Sequence, residues 1–179
     1  MFDRSMCIAQ YGSDYKIRQK LAAGELFKVG KSVYSTDKDV PEIAVLSFRY
    51  PEAIVTLDSA FYIYGLTDVI PDKHYLATKR NSTKIKNANV QQIFVPDSFF
   101  EQGEETLIYR NYAIRIYNKE RMLVELLRYK TKLPFDYYKE VLLNYRKIVH
   151  KLDIQKIQDY VFEAPKSRKI METLQLEVL

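Results

Sequence analysis

The chain has 179 residues, of which 47% are hydrophobic and 13% aromatic, so it can bury a core and is not a disordered tail. Its net charge of +5 favours a polyanionic partner. A single cysteine excludes an intrachain disulfide, no apolar run approaches the roughly 20 residues of a membrane span, and the N-terminus lacks a signal-peptide pattern, so we expect a cytoplasmic protein.

Residues 1–36 are predicted to form a short helix, a second helix and a two-stranded hairpin. Ser13 is a suitable N-cap for the second helix, and Gly24 is a typical residue to end it. Within that helix Ile17 and Leu21 share one face, which indicates that this face packs on a core.

Two short β-prone runs after the second helix flank Gly30 and Lys31, which predicts a hairpin with these residues in its turn. A helix followed by a glycine and a small hairpin is the end of a winged helix-turn-helix. Because little sequence precedes Met6, we expect the usual first helix of that fold to be missing.

The exposed side of the second helix is the candidate DNA-binding surface, because residues 1–36 carry six basic and three acidic groups. We expect the helix to enter a major groove and the hairpin to contact phosphates. The alternative is a winged helix that contacts only other proteins. The candidate contact residues are Tyr15, Lys16, Arg18, Gln19 and Lys20 on the helix, and Lys28 and Lys31 on the hairpin.

A second, larger domain is expected from residue 40 to residue 179, after a linker at 37–41. Residues 43–50 are either a helix or an irregular apolar stretch, which Pro51 ends. Thr56 is a suitable N-cap for the next helix, which Gly65 closes. The apolar residues that recur at helical spacing in it are Leu57, Ala60, Phe61 and Tyr64.

Strands followed by helices predict an α+β fold for this domain rather than a doubly wound sheet. The expected strands are 74–78, 90–95, 106–109 and 112–117, the last two joined by a tight turn at Arg110 and Asn111. Asn118 is expected to cap a helix with Leu123, Leu126 and Leu127 inward, and the Glu120–Arg121 pair is interpreted as ordinary charge at that helix N-terminus. Further helices are expected around 135–151, 154–164 and 167–176.

Residues 73–96 contain five basic groups and no acidic group, which predicts a basic loop between two strands. This possible second basic patch could bind a phosphate backbone, or it could be a solvated loop without a ligand. Its candidate residues are Lys79, Arg80, Lys84 and Lys86.

Catalytic patterns are absent from the sequence. His74 and His150 with one cysteine do not form a zinc set, and no glycine-rich phosphate loop occurs. Gly12-Ser13-Asp14 superficially resembles the start of a nucleotidyltransferase motif, but no Asp-x-Asp pair follows to hold magnesium. We therefore expect no enzyme activity, no catalytic residues, no metal and no cofactor.

Four segments in order resemble the AbiEi (abortive infection) antitoxin family of predicted transcriptional regulators. They are GELFKVGKSVY at 24–34, LDSAF leading to YGL at 57–66, YLATKR at 75–80, and NKERMLVELL at 118–127. They are similar to the family's wing, its Ser-Ala-Leu helix, the following strand and basic turn, and its Glu-Arg-Thr-Leu helix. Three residues depart from the family pattern: Ser32 replaces a usual glycine, Met122 a threonine and Glu125 an aspartate.

The resemblance implies an N-terminal winged helix, a C-terminal antitoxin domain and no catalytic site. It further implies a repressor that binds duplex DNA of its own promoter region. Such a protein counters a nucleotidyltransferase-like toxin encoded beside it, and no stable complex with that toxin is expected. The alternatives are a protein- or RNA-binding module without DNA binding, and a degenerate nuclease. The sequence does not indicate the operator sequence, the toxin or the oligomeric state.

Overall fold

The computed structural model describes residues 1–178; Leu179, the last residue of the expected second domain, lies outside the described residues. The described chain is a mixed α+β protein with two β-sheets, which confirms the predicted class. The strands are β1 (Phe2–Asp3), β2 (Phe27–Gly30), β3 (Val33–Ser35), β4 (Ile54–Val55), β5 (His74–Lys79), β6 (Val90–Val95), β7 (Glu104–Tyr109) and β8 (Tyr112–Tyr117). The helices are α1 (Arg4–Tyr11), α2 (Asp14–Ala22), α3 (Glu42–Arg49), α4 (Leu57–Ile63), α5 (Asp97–Phe100), α6 (Lys119–Tyr129), α7 (Phe135–Ile148), α8 (Ile154–Glu163) and α9 (Ser167–Glu177). No helix within residues 1–178 combines the length and the apolar character that crossing a bilayer requires.

The chain divides into two compact units. The N-terminal unit comprises residues 1–51 together with 108–114, the tip of the β7–β8 hairpin, and the remaining residues form the C-terminal unit. The N-terminal unit is therefore larger than the expected segment 1–36, because α3 and the hairpin tip belong to it. That residues 1–36 form a separate DNA-binding domain stays a prediction.

The N-terminal unit has a small core beneath a three-stranded sheet of order β1–β3–β2. Cys7 of α1, Ile17 of α2 and Leu26 form the buried centre of this core. Leu21, the second residue predicted for the inner face of α2, is partly buried and packs against the same cluster. The helical period of α2 thus predicted its packing face correctly.

The turn of the β2–β3 hairpin is one residue later than predicted. Gly30 is still part of β2 and pairs with Val33, so Lys31 and Ser32 form the turn, and Ser32 has a φ of 60°. An irregularity between Lys28 and Gly30 shifts the register. Gly30 also lies against α3, because a Cβ added to it would be 2.6 Å from Val45 Cγ1. The stretch that the sequence left open is thus the helix α3, packed on the hairpin.

The second sheet has five strands in the order β6–β5–β4–β8–β7. The four strands expected in this region are present, and Arg110 and Asn111 form the expected tight turn with φ angles of 46° and 71°. The short β4 pairs antiparallel with β5 and parallel with β8, and β5 pairs parallel with β6 along its whole length. Because no helix lies between β5 and β6 or between β7 and β8, and β4 is antiparallel to β5, the sheet is not doubly wound.

Two sequence interpretations at helix starts need correction. Thr56 occupies the N-cap position of α4 as predicted, but its hydroxyl makes no capping bond and instead contacts Met122 Sδ at 3.8 Å. Arg121 is not a solvated charge at the helix N-terminus; its exposed fraction is 0%. Asn118 does cap α6, since its Oδ1 accepts a 2.8 Å bond from the amide of Arg121. Leu123, Leu126 and Leu127 are buried as predicted.

The guanidinium of Arg121 lies at the centre of a buried polar network. Its Nε donates to Glu125 Oε1 at 3.0 Å, and its Nη1 donates to the carbonyl oxygens of Phe99 and Gln102 at 2.7 and 2.6 Å. The ring of Phe99 stacks 3.4 Å from the guanidinium carbon. Arg128 donates to both oxygens of Glu125 at 2.6 and 2.7 Å. The buried charge is compensated by the Glu125 carboxylate, which lies 2.9 Å from Nη2, and by the two carbonyl oxygens, although Nη2 itself makes no hydrogen bond.

Replacing Arg121 with leucine should lower the free energy of unfolding by about 3–5 kcal/mol, because the buried Glu125 would lose a cationic partner. The matched control is Arg168→Leu, which breaks the exposed pair with Glu172 and should change stability by less than about 0.5 kcal/mol. Urea unfolding of both variants measures the difference. Equal stabilities of the two variants would show that the buried network does not stabilise the fold.

Candidate nucleic-acid interface

Helix α2 exposes the side that the sequence assigned to DNA. Its helical period places Tyr15, Lys16 and Gln19 opposite Ile17, which is only 4% exposed. Tyr15 is 67% exposed, and Gln19 Nε2 donates to the Tyr15 hydroxyl at 3.1 Å. Lys16 and Arg18 are exposed as well. The helix therefore presents one amide, one aromatic ring and two cations to solvent.

The start of α2 is fixed in two ways. Ser13 Oγ accepts a 3.3 Å bond from the amide of Lys16, which confirms the predicted N-cap. Asp14, the first residue of α2, accepts two bonds from Arg4, the first residue of α1, at 3.1 and 2.5 Å. Since the two residues begin successive helices, this ion pair links α1 to α2. This pair could not be predicted from the sequence, because the partners are ten positions apart.

The Arg4–Asp14 pair also perturbs the ionisation of both groups. The hydrogen bond from Arg4 holds the pKa of Asp14 below its ordinary value of 3.8, and the carboxylate in turn raises the pKa of Arg4. Both side chains are largely exposed, at 61% for Arg4 and 45% for Asp14, so solvent screens the interaction.

Lys20 differs from the other predicted contact residues. It is half-buried and forms an ion pair with Glu25, in the turn that follows α2. The hydrogen bond to that carboxylate raises the pKa of Lys20. Its charge is therefore partly neutralised within the unit, and we expect Lys20 to contribute less to anion binding than its neighbours.

The two predicted hairpin cations occupy different places. Lys28 is an exposed residue of β2, and Lys31 is exposed in the turn. Within residues 1–178, neither residue makes an ion pair, and the same holds for Lys16 and Arg18. The N-terminal unit thus presents four cations that make no ion pair within residues 1–178, two on α2 and two on the hairpin, and of these Arg18 also interacts electrostatically with Asp14.

The possible second basic patch lies in the C-terminal unit. Lys79 is paired with Glu101 at 2.8 Å, whereas Arg80, Lys84 and Lys86 are exposed. The loop that carries them is anchored by Gln92, a residue that the sequence did not indicate. Gln92 accepts a bond from the amide of Ile85 at 2.8 Å and donates to Thr78 Oγ1 at 2.8 Å and to the carbonyl of Thr83 at 3.2 Å.

The residues considered for catalysis or metal binding do not come together. His74 belongs to β5, His150 lies in a short 3-10 helix after α7, and Cys7 is buried in the core of the N-terminal unit. Burial raises the pKa of the Cys7 thiol, which makes it a poor nucleophile. Among residues 1–178, no three His, Cys, Asp or Glu side chains are arranged to hold a metal ion.

The link between α1 and α2 should be visible as a titration. In the wild-type chain the Asp14 carboxyl is expected to titrate below 3.8, and in Arg4→Gln its pKa should rise towards that value. The stabilisation from this pair is then present in full above pH 3.8 and is lost as the pH falls through the lower pKa of the folded state. Carboxyl-detected NMR measures both values. Lys28→Gln is the control, and an unchanged Asp14 titration in Arg4→Gln would contradict the link.

Comparison with known proteins adds no relative. No protein-family model matches the chain, and no curated protein matches it significantly. The resemblance to the AbiEi antitoxin family, carried by the four segments described above, stays a prediction.

Proposed function

We propose that the chain is a DNA-binding transcriptional repressor and antitoxin of the AbiEi type. It represses its own operon and counters a nucleotidyltransferase-like toxin encoded beside it. One observation carries the DNA-binding half of this proposal: α2 and the adjacent hairpin present four cations without ion-pair partners within residues 1–178. The antitoxin half rests on the four-segment resemblance alone.

The order of elements in the N-terminal unit supports DNA binding. A strand, two helices joined by a tight turn and a hairpin follow one another, and the strand pairs with the hairpin in the order β1–β3–β2. This order of elements supports the proposal of a winged helix-turn-helix. In the proposed fold α2 is the recognition helix and the β2–β3 hairpin is the wing.

The side chains on these elements suit two kinds of contact. Gln19 lies at the middle of the exposed face of α2, and a glutamine amide can pair with the edge of adenine in the major groove. Lys28 and Lys31 suit phosphate contacts, because they are exposed on the edge and at the turn of the wing. Base contacts give sequence preference, whereas phosphate contacts give salt-dependent affinity.

Two other parts of the N-terminal unit contact the hairpin and the residues that follow it. Val45 of α3 contacts the hairpin at Gly30. Asp37, which follows the hairpin, accepts a 2.7 Å bond from the Tyr112 hydroxyl. The wing is therefore contacted by α3, and the segment that follows the wing is held by the tip of the β7–β8 hairpin.

A second candidate function is a protein-binding module with the same fold. It is favoured by the large exposed surface of Tyr15, because tyrosine is enriched in protein interfaces. The two functions differ in their dependence on salt and on DNA sequence.

Removing the wing cations should weaken DNA binding on all sequences alike. For Lys28→Ala with Lys31→Ala, we expect the slope of log affinity against log salt to fall by about two, one for each lost phosphate contact. Mobility-shift titrations on the chain's own upstream region and on random duplex, at several salt concentrations, measure both quantities. The control, Lys147→Ala with Lys151→Ala, removes the same charge from the C-terminal unit and should leave the slope unchanged.

Replacing Gln19 with alanine should instead alter which sequence is preferred, with a loss of about 1–3 kcal/mol of discrimination at one base pair. Competition among randomised duplexes measures that preference. Wild-type binding to the upstream region that is no tighter than to random duplex would refute the repressor function and leave the protein-binding module in its place.

Co-expression tests the antitoxin half separately. If a nucleotidyltransferase-like reading frame lies beside the gene, its expression should arrest growth, and this chain supplied from a foreign promoter should restore growth. Because no stable complex is expected, the two proteins should not co-purify. Growth arrest that the chain does not relieve would remove the antitoxin half without affecting the DNA-binding half.

A further inference from the structure

A basic cleft lies in the C-terminal unit between the end of α6 and the start of α9. Its volume is about 210 Å³, and none of its lining residues is acidic. Five of them are cationic: Arg128, Lys130, Lys132, Lys166 and Lys169. We call this the basic cleft. It is separate in sequence from both basic regions described above.

Two of the five cations are neutralised by carboxylates outside the lining. Arg128 pairs with Glu125 of the buried network, and Lys130 pairs with Glu177 near the end of α9. The other three, Lys132, Lys166 and Lys169, make no ion pair within residues 1–178. The cleft therefore carries three uncompensated positive charges, and an anion that neutralised them would bind favourably.

The walls of the cleft are held in place by the core. Ile170 and Leu127 line it and are 4% and 5% exposed, and Leu174 anchors the next turn of α9. At its other end α9 is fixed through Glu177, which accepts hydrogen bonds from Tyr138 at 2.5 Å and from Lys130. Burial alone would raise the pKa of Glu177, but these two hydrogen bonds lower it, so the carboxylate stays charged. Lys169 thus lies on a helix that is fixed by the core and at its C-terminal end, and Lys166 directly precedes that helix.

The first turn of α9 adds to the positive field of the cleft. It contains no acidic residue, and Lys166, which precedes it, forms no side-chain cap. The Lys132 ammonium lies 4.8 Å from the ring of Tyr129, and this contact limits its side-chain freedom. The Thr131 side chain at the rim supplies a neutral hydrogen-bond donor.

We propose that the basic cleft binds a diphosphate or triphosphate group. One phosphate monoester carries a charge of about −1.5 to −2 at neutral pH, which would leave part of the three charges uncompensated. Two linked phosphates match them better and still fit the volume. The group could belong to a free nucleotide or to the 5′ end of an RNA. The proposal is independent of DNA binding by the N-terminal unit.

Calorimetry on the full chain at low salt tests the proposal with phosphate, pyrophosphate and ATP as probes. We expect pyrophosphate and ATP to bind more tightly than phosphate. The variant Lys132→Ala, Lys166→Ala, Lys169→Ala should weaken pyrophosphate binding at least about tenfold. The matched control, Lys139→Ala, Lys147→Ala, Lys151→Ala, removes the same charge from the same unit and should weaken it less than about twofold. Equal losses of pyrophosphate affinity in the two variants would show that the affinity depends only on net charge, and would overturn the proposal.

Protection of the wild-type chain gives a second measurement that requires no variant to fold. Pyrophosphate should shield Lys132, Lys166 and Lys169 from an amine-reactive label and leave Lys139, Lys147 and Lys151 reactive, as followed by mass spectrometry. Labelling of all six lysines at unchanged rates would overturn the proposal.

Two short RNAs of the same sequence, one with a 5′-triphosphate and one with a 5′-hydroxyl group, distinguish the two sources of the phosphate group. A 5′-triphosphate RNA that binds more tightly than ATP assigns the cleft to RNA ends, and the reverse order assigns it to free nucleotides. A 5′-hydroxyl RNA that binds as tightly as the triphosphate form would overturn the proposal, because that RNA has no diphosphate group.

Discussion

The buried guanidinium of Arg121 is the interaction on which the C-terminal unit depends. It joins the end of α5, the turn before β7 and the first two turns of α6, because its donors reach Phe99, Gln102 and Glu125. The turn is fitted closely to it: a Cβ on Gly103 would lie 2.5 Å from Arg121 Cβ. The position of α6 in turn places Arg128 at the edge of the basic cleft. One buried charge therefore connects three elements of this unit and helps to position one wall of the basic cleft.

The charges of the protein divide into those with a local counter-ion and those without. Paired cations hold elements together: Arg4 links two helices, Lys20 closes a turn, and Lys79 joins β5 to the residue after α5. Among the described residues, cations that make no ion pair lie on α2 with its hairpin, in the loop after β5 and in the basic cleft. The first and the last of these groups support two separate anion-binding proposals.

Most long elements were predictable because a single pattern specifies each of them. Alternation and turn residues located the β5 to β8 strands, and helical spacing located the exposed face of α2. The two-residue strands β1 and β4 have no pattern of their own, since they exist only through their partners. The parallel pairing of β5 with β6 likewise depends on the whole sheet. In the candidate interface, the helical period predicted which side chains of α2 are exposed. The ion pairs of Arg4 with Asp14 and of Lys20 with Glu25 could not be predicted, because they depend on the path of the chain between the helices and after α2.

The contact of Gly30 with Val45 restricts how this protein can diverge. An alanine at position 30 would place its methyl group 2.6 Å from Val45 Cγ1, so it requires a smaller residue at position 45 or a displaced α3. The residue types tolerated at these two positions are therefore linked, although the positions lie fifteen apart in the sequence. Where α3 keeps its place, a side chain larger than hydrogen at position 30 requires a residue smaller than valine at position 45.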